Sequence, residues 1–132
     1  MADVENSLRA ALIADATVNG LVAGRVFEPV APPGAAVPYV TYERISSQRP
    51  QAMGAAPGNV RARFQFQWVG ASPALARALA KAGQSVLSRR REPAGTPVIE
   101  DIFLDAESQD TGTAPKSKRF IVETDYLVFY RE

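Results

Sequence analysis

The sequence predicts an α+β fold: a single domain over residues 1–132, with a mainly antiparallel sheet of about four to five strands and helices packed on one face. Three observations predict it. A chain of 132 residues is long enough for one domain with one modest core. Within residues 60–69, apolar and polar residues alternate from Val60 to Trp68, which is typical of a half-buried strand. The stretch after Ser72 has the period of an amphipathic helix.

The N-terminal part predicts two helices and a short extended segment. Residues 3–15 form an amphipathic helix, because apolar residues recur at helical spacing at Val4, Leu8, Ala11 and Leu12. A short second helix is expected over residues 17–23, with Thr17 as a candidate N-cap and Gly24 as its stop. Residues 25–29 then form a brief extended segment.

Two strands are predicted in the middle of the chain. Residues 29–38 hold four prolines and form a loop or a sheet edge, because proline lacks an amide donor. Residues 39–46 are rich in β-branched and aromatic side chains and form a strand. Residues 48–59 have turn composition, and about twelve residues is long for a hairpin connection, so this loop is either functional or mobile. Strand 60–69 places aromatic side chains on one face and arginines on the other.

The next part of the chain predicts the clearest helix. Ser72 is its N-cap and Pro73 occupies its first turn, where the missing amide donor does no harm. The three arginines at 89–91 close the helix at the negative end of its dipole. Its buried stripe is expected to consist of Leu75, Leu79, Ala82, Val86 and Leu87.

Two more strands are predicted at the C-terminal end. Residues 97–107 have apolar side chains on both faces, with Ile102 on one face and Ile99 and Phe103 on the other. Residues 108–118 form a polar loop, and residues 119–131 form the last strand with one apolar face.

Charge is segregated along this nearly neutral chain. It carries 15 basic and 14 acidic residues, for a net charge of +1. Between Glu43 and Glu92 there are nine basic residues and no acidic one, whereas residues 1–43 hold two basic against five acidic residues and residues 92–132 hold four against nine. Such segregation favours contact either with nucleic acid or with the opposite charge on another copy of the same chain.

Composition disfavours an enzyme. The chain has no cysteine, which excludes disulfides and thiolate metal sites and fits a reducing cytoplasm. It has no histidine, the usual general base and metal ligand, so we expect no catalytic residue, no cofactor and no metal. No apolar run approaches the roughly 20 residues that span a bilayer, so no membrane partner is expected.

The remaining candidate chemistry is weak. The carboxylates of Glu100, Asp101, Asp105 and Glu107 do not converge on one face of a strand, which disfavours a divalent cation. Arg61 and Arg63 lie beside aromatic residues in sequence, but the alternation places the aromatic side chains on the opposite face, so we interpret them as core rather than as a base-stacking platform.

Six segments together resemble a known family. They are Ser-Leu-Arg-Ala-Ala-Leu-Ile-Ala-Asp-Ala near the N-terminus, then Val18-Asn-Gly-Leu-Val-Ala-Gly-Arg-Val-Phe27, Val37-Pro-Tyr-Val-Thr-Tyr-Glu-Arg-Ile-Ser46, Arg61-Ala-Arg-Phe-Gln-Phe-Gln-Trp68, Ala74-Leu-Ala-Arg-Ala-Leu-Ala80 and the final Asp125-Tyr-Leu-Val-Phe-Tyr-Arg131. In this order and over residues 7–131 the chain resembles the tail terminator, or tail completion, family of long-tailed bacteriophages, prophages and gene transfer agents.

The resemblance implies a structural virion protein rather than an enzyme. Members of the family form a ring, usually hexameric, that caps the head-proximal end of the tail tube and ends its polymerisation. The ring offers a joining surface to the neck and a central channel for DNA. The implied partners are other copies of the chain, the tail tube protein, a head-closure, stopper or connector protein, and DNA that passes without sequence specificity. The implied location is the tail or neck of a virion assembled in the host bacterial cytoplasm.

Interface residues follow from charge and loop length, because the family offers no motif-level functional residues. We expect loops 48–59 and 108–118 to contact neighbouring copies or the tube, although the first is rich in Ala, Pro and Gly here. We also expect Arg44, Arg61, Arg63 and Arg77 to face the acidic strand 97–107 of the adjacent subunit. The expected subunit or tube contacts are Arg44, Arg49, Met53, Arg61, Arg63, Asp101, Asp105, Lys116 and Lys118. The expected channel or DNA-facing residues are Arg89, Arg90 and Arg91.

Other functions stay open at this point. The same fold could serve as another neck component, such as a head-closure or stopper protein. A free nucleic-acid-binding module would need its basic residues gathered on one exposed face. An enzyme would need a cleft with convergent carboxylates.

Overall fold

The computed structural model describes residues 3–49, 58–110 and 119–131. Within these ranges the chain forms three helices and one five-stranded sheet, and this confirms the predicted α+β fold with its mainly antiparallel sheet. The elements are α1 (Val4–Ala14), α2 (Ala16–Val22), β1 (Val26–Phe27), β2 (Tyr39–Gln48), β3 (Asn59–Gly70), α3 (Pro73–Leu87), β4 (Val98–Asp110) and β5 (Phe120–Arg131). In this part of the chain, no helix is long and apolar enough to span a bilayer.

The sheet has the strand order β1-β2-β3-β5-β4. The short β1 pairs parallel to β2, and every other pair is antiparallel. Gln48 of β2 pairs with Arg61 of β3 near one end of the sheet, whereas Asp110 of β4 pairs with Ile121 of β5 near the other end. The β2–β3 and β4–β5 connections therefore leave from opposite ends of the sheet. A strand of this length spans about 40 Å.

One face of the sheet carries the core and the three helices. The aromatic face of β3 is fully buried, as its alternation predicts. Phe66 stacks on Tyr42 and on Trp68, with ring centroids 5.5 Å apart in each pair. The Trp68 indole donates a 2.8 Å hydrogen bond to the Thr124 hydroxyl, so the polar group of this large buried side chain is satisfied. Buried residues of α1, α2 and α3 belong to the same cluster.

The predicted cap of α2 is wrong. The helix begins at Ala16, and the Asp15 carboxylate accepts a 2.9 Å hydrogen bond from the amide of Val18. Asp15 also ends α1, so one residue serves as both caps, and aspartate is among the strongest N-cap residues. Ala23 ends α2 in the left-handed conformation, one residue before the expected stop.

The N-cap of α3 is confirmed, but its buried stripe differs from the prediction. The Ser72 hydroxyl accepts a hydrogen bond from the amide of Leu75, as expected. The side chain of Leu75, however, is 51% exposed. The helix instead buries Ala76, Leu79, Ala80, Gly83 and Leu87. Small residues on this face allow the helix backbone to approach the Trp68 ring closely, and this contact outweighs the burial of one leucine.

The arginines at 89–91 lie beyond α3 rather than in its last turn. The helix ends at Leu87 with Ser88 as its C-cap. Arg89 has a φ of 61°, so the chain turns sharply and runs back along β4. The Arg89 amide donates to the carbonyl of Ile102, and Glu92 pairs with Ile99.

Strand β4 is longer and less regular than the prediction. It continues to Asp110, so the predicted loop 108–118 begins as strand. Register shifts after Ile99 and after Leu104 break the alternation. Ile99 and Ile102 are therefore both buried and lie opposite core residues of β5, whereas the sequence pattern predicts them on opposite faces.

Candidate interaction surfaces

The sheet face opposite the helices presents a charged surface, which we call the uncovered face. No helix covers it within the described ranges. Its side chains belong to β3, β4 and β5, and include Arg61, Arg63, Asp101, Phe103, Asp105, Asp125, Leu127 and Phe129. Phe103 and Phe129 meet edge to face with ring centroids 5.6 Å apart. Neighbouring strands thus bring aromatic side chains beside the arginines, which the alternation within β3 alone could not predict.

Arg63 joins three strands on the uncovered face. Its guanidinium lies 2.7 Å from the Asp105 carboxylate and 3.3 Å from the Asp125 carboxylate. The hydrogen bond to Asp105 is the main cause that raises the pKa of Arg63 above its usual value. Arg63 and Asp105, both predicted interface residues, therefore contact each other within one chain. A contact of Asp105 with an arginine of a neighbouring copy, the sequence-based hypothesis, stays a prediction.

Arg61 is the more available arginine of β3. It is exposed, and its guanidinium lies 5.8 Å from the centroid of the Phe129 ring. A shallow groove beside it is lined by Asn59, Glu100 and Tyr130 among others. This end of the uncovered face therefore combines an aromatic surface with charges of both signs.

Arg89 and Arg91, which we call the arginine pair, converge on one carboxylate. Their guanidinium groups lie 2.9 Å and 3.7 Å from Asp101, which is 13% exposed. Arg89 also stacks over the Phe103 ring, 4.5 Å from its centroid. The two arginine side chains stay 60% and 67% exposed. Arg90, the third arginine of the run, pairs with Glu92 at 2.7 Å.

Arg44 lies on the helix side of the sheet, apart from the other predicted contact residues. Burial lowers its pKa, but hydrogen bonds to Glu5 and to the Tyr130 hydroxyl outweigh this effect and raise it above the usual value. Its guanidinium lies 2.7 Å from the Glu5 carboxylate and 2.8 Å from the Tyr130 oxygen. Arg44 therefore ties α1 to the sheet. Arg77 projects from α3, so the four predicted arginines do not share one surface.

The opposite edge of the sheet, at β1, carries charges of both signs: Arg9 and Arg25 donate hydrogen bonds to backbone carbonyls of Val26 and Pro38, and Glu28 is an exposed carboxylate there. Glu28 follows edge strand β1 directly. Burial is the main cause that raises its pKa, nearby Glu5 and Asp3 raise it further, and Arg44 lowers it. The Tyr42 hydroxyl donates to the Glu5 carbonyl at 3.1 Å, and burial raises the pKa of Tyr42 to about 12. The proximity of Glu28 to Glu5 and Tyr42 could not be predicted from the sequence, because these residues are distant along the chain.

Not all of the predicted contact residues belong to the described part of the chain. Met53, Lys116 and Lys118 lie outside the described residues, as do most residues of both predicted contact loops. Arg49 is exposed just after β2. Among the residues that the structure describes, no three acidic side chains lie close enough together to hold a metal ion. Asp101 and Asp105 instead bind different arginines.

The architecture defines a class of small α+β protein: one twisted sheet, helices on one face and a broad charged surface on the other. The chain belongs to the tail completion protein gp17 family, whose model matches residues 6–129. This confirms the resemblance seen in the sequence motifs. Among solved structures, a chain from the virion of a native gene transfer agent particle is similar, with a TM-score of 0.71 over 95% of this chain and 92% of that chain. The two are 17% identical, so this likeness concerns the fold. No curated protein matches the chain.

Proposed function

We propose that this protein is a structural component of a phage or gene transfer agent tail, and that it closes the head-proximal end of the tail tube. Copies of the chain form a ring, hexameric by the family resemblance, that ends tube polymerisation and offers a joining surface to the neck. DNA passes through the central channel. The family match over residues 6–129 is the observation that carries the proposal.

The shape of the subunit supports an assembling protein. The β2–β3 and β4–β5 connections depart from opposite ends of the sheet, about 40 Å apart. Two connections so far apart suit contacts with two different neighbours, the tube on one side and the neck on the other. In a closed ring, each copy contacts its two neighbours through two different surfaces. The two lateral edges of the sheet, at β1 and β4, are available for these contacts.

The contact residues of this proposal follow from the exposed charges. We assign Arg61 and the Arg63–Asp105 pair on the uncovered face to contacts with the tube or a neighbouring copy, and Asp101 to the edge of β4. Arg44 acts within the subunit, through Glu5 and Tyr130. A channel-facing role for Arg89, Arg90 and Arg91 stays a prediction.

The charge arrangement favours this proposal over a nucleic-acid-binding module. Such a module gathers unpaired basic side chains on one face, because its affinity comes from the neutralisation of many phosphates. Here Arg63 contacts two aspartates and Arg90 contacts Glu92. On the described surface, arginines and carboxylates alternate rather than separate.

Deletion of the gene in the cell that produces the particles tests the proposal. We expect tails of uncontrolled length and heads without tails in electron micrographs, with both defects corrected when the intact chain is supplied in trans. A head-closure or stopper protein would instead leave tails of normal length that fail to join heads. Normal tailed particles without the protein would overturn the proposal.

A further inference from the structure

We propose that the arginine pair is a docking site for a carboxylate of a second copy of this chain, supplied from the edge of the sheet that carries Glu28. This inference rests on the proposed ring and adds the surfaces through which its copies meet. It is an alternative to the sequence-based hypothesis that Arg44, Arg61, Arg63 and Arg77 face strand 97–107 of the adjacent subunit, because Asp101 and Asp105 of that strand bind arginines of their own chain. It also gives Arg89 and Arg91 a contact between copies in place of the predicted channel-facing role.

The arginine pair is held ready for an anion. The Arg89 guanidinium stacks on the Phe103 ring and forms an ion pair with Asp101. The Arg89 backbone amide donates a hydrogen bond to the Ile102 carbonyl. Arg91 approaches the same carboxylate from a longer distance. A guanidinium has five N–H donors in a rigid plane, and one carboxylate cannot occupy the donors of two guanidinium groups. Donors therefore stay available on an exposed group that loses little freedom on binding.

The size of the charge surplus favours a single carboxylate over a polyanion. Two guanidinium groups face the one carboxylate of Asp101, and the intervening Arg90 is neutralised by Glu92. The net excess is one positive charge. One excess charge matches one carboxylate, whereas tight nucleic-acid binding needs several phosphate contacts.

The second copy is the occupant that charge complementarity indicates. The segment with the arginine pair lies along β4, which is one edge of the sheet, and Glu28 follows β1, which is the other edge. Glu28 and Asp3 are exposed and form no ion pair within the described residues. Head-to-tail contact between copies brings these two edges together. Contact with a guanidinium would favour the charged form of Glu28, whose pKa is raised by partial burial and by the nearby carboxylates of Glu5 and Asp3.

A charge exchange between two variants tests the contact. Variant one carries Arg89→Glu and Arg91→Glu, and variant two carries Glu28→Arg with Asp3 unchanged. A cell that lacks the gene is supplied with one variant or with both. Either variant alone places like charges at every contact between copies, so we expect the amount of it in purified particles to fall by about tenfold or more. Supplied together, the variants can alternate around a ring of even number, where each contact again joins opposite charges. We expect incorporation to recover to within about threefold of the intact chain.

Controls separate this inference from folding and from the proposed function. Lys81→Glu makes the same kind of charge change at an exposed position of α3, which belongs to neither edge strand, and should be incorporated normally. Arg91→Glu alone removes the loosely held guanidinium and leaves the Arg89–Asp101 pair, so it should fold and show a partial loss. The inference is overturned if variant one is incorporated as well as the intact chain, or if the mixture is no better than either variant. Failure of the intact chain to enter particles would instead overturn the proposed function.

Discussion

The two buried hydroxyl groups of Thr124 and Tyr126 have opposite roles on the inner face of β5. The Thr124 hydroxyl accepts the hydrogen bond of the Trp68 indole at 2.8 Å. The Tyr126 hydroxyl is buried and, within the described part of the chain, makes no hydrogen bond of good geometry, although the nearby Thr124 side chain acts to lower its pKa. A buried polar group without a hydrogen-bond partner lowers the free energy of unfolding, so its removal is not destabilising. Removal of one member of a buried hydrogen-bonded pair leaves the other member without a partner and is destabilising.

Matched substitutions should therefore change stability in opposite directions. Tyr126→Phe removes a hydroxyl that makes no hydrogen bond of good geometry, so we expect the free energy of unfolding to stay equal or rise by about 1 kcal/mol. Thr124→Val keeps the shape but strands the Trp68 N–H, so we expect a loss of about 1–3 kcal/mol. Urea unfolding of both variants measures the difference. A clear loss in Tyr126→Phe would show that its hydroxyl has a partner after all.

The free energy of unfolding should fall at alkaline pH because the hydroxyl groups of Tyr42 and Tyr126 are buried. The pKa values of Tyr42 and Tyr126 are raised from the usual 10.0 to about 12, and burial is the main cause in both. The folded protein holds these protons more tightly than the unfolded chain, so this part of the stability is complete below pH 10 and is lost as pH rises towards 12. We expect a loss of about 1 kcal/mol per tyrosine by pH 11. Phenylalanine at both positions should flatten the profile between pH 9 and pH 11.

At the scale of elements, α3 is fixed on the sheet by a glycine. A Cβ atom added to Gly83 would lie 2.0 Å from the Trp68 ring of β3. The helix must therefore approach the sheet closely at this position, and the indole fills the space that a side chain would need.

Gly83→Ala should destabilise the protein even though alanine is the better helix former. We expect a loss of about 1–3 kcal/mol, because the ring and the helix must move apart. Gly20 in α2 is the matched control, since an added Cβ there meets nothing within 4 Å. Gly20→Ala should raise the free energy of unfolding by about 0.5–1 kcal/mol through helix propensity alone. Equal effects of the two substitutions in urea unfolding would contradict the close contact.

The sequence predicts those elements that depend on a local pattern of residues. It does not predict features that depend on contacts with residues of another element. The alternation within β3 predicts its buried face, and Ser72 with Pro73 predicts the start of α3. The face of α3 depends on Trp68, a residue of another element, so the exposure of Leu75 could not be predicted. The bulges of β4 depend on its pairing with β5, and no periodicity within β4 marks them.

At the scale of the whole molecule, the segregation of charge along the chain disappears on folding. The acid-free middle of the sequence supplies Arg63 of β3, and the acidic C-terminal part supplies Asp105 and Asp125 on the neighbouring strands. The sheet thus interleaves charges that the sequence separates. The sequence shows that arginines and aspartates are available for contacts. It does not show which arginines are already paired, because their partners lie in other strands.

Charge reversal at the two arginines of β3 should separate a structural from a contact role. Arg63→Glu would place a third carboxylate beside Asp105 and Asp125, so we expect the thermal unfolding midpoint to fall by about 3 °C or more. Arg61→Glu loses only a stacking contact with Phe129, and its midpoint should change little. If the uncovered face contacts the tube or a neighbouring copy, Arg61→Glu should still impair particle assembly, because its charge faces outward. An unchanged unfolding midpoint of Arg63→Glu would show that the ion pairs of Arg63 with Asp105 and Asp125 contribute nothing to the fold, and would leave the pair with a contact role alone.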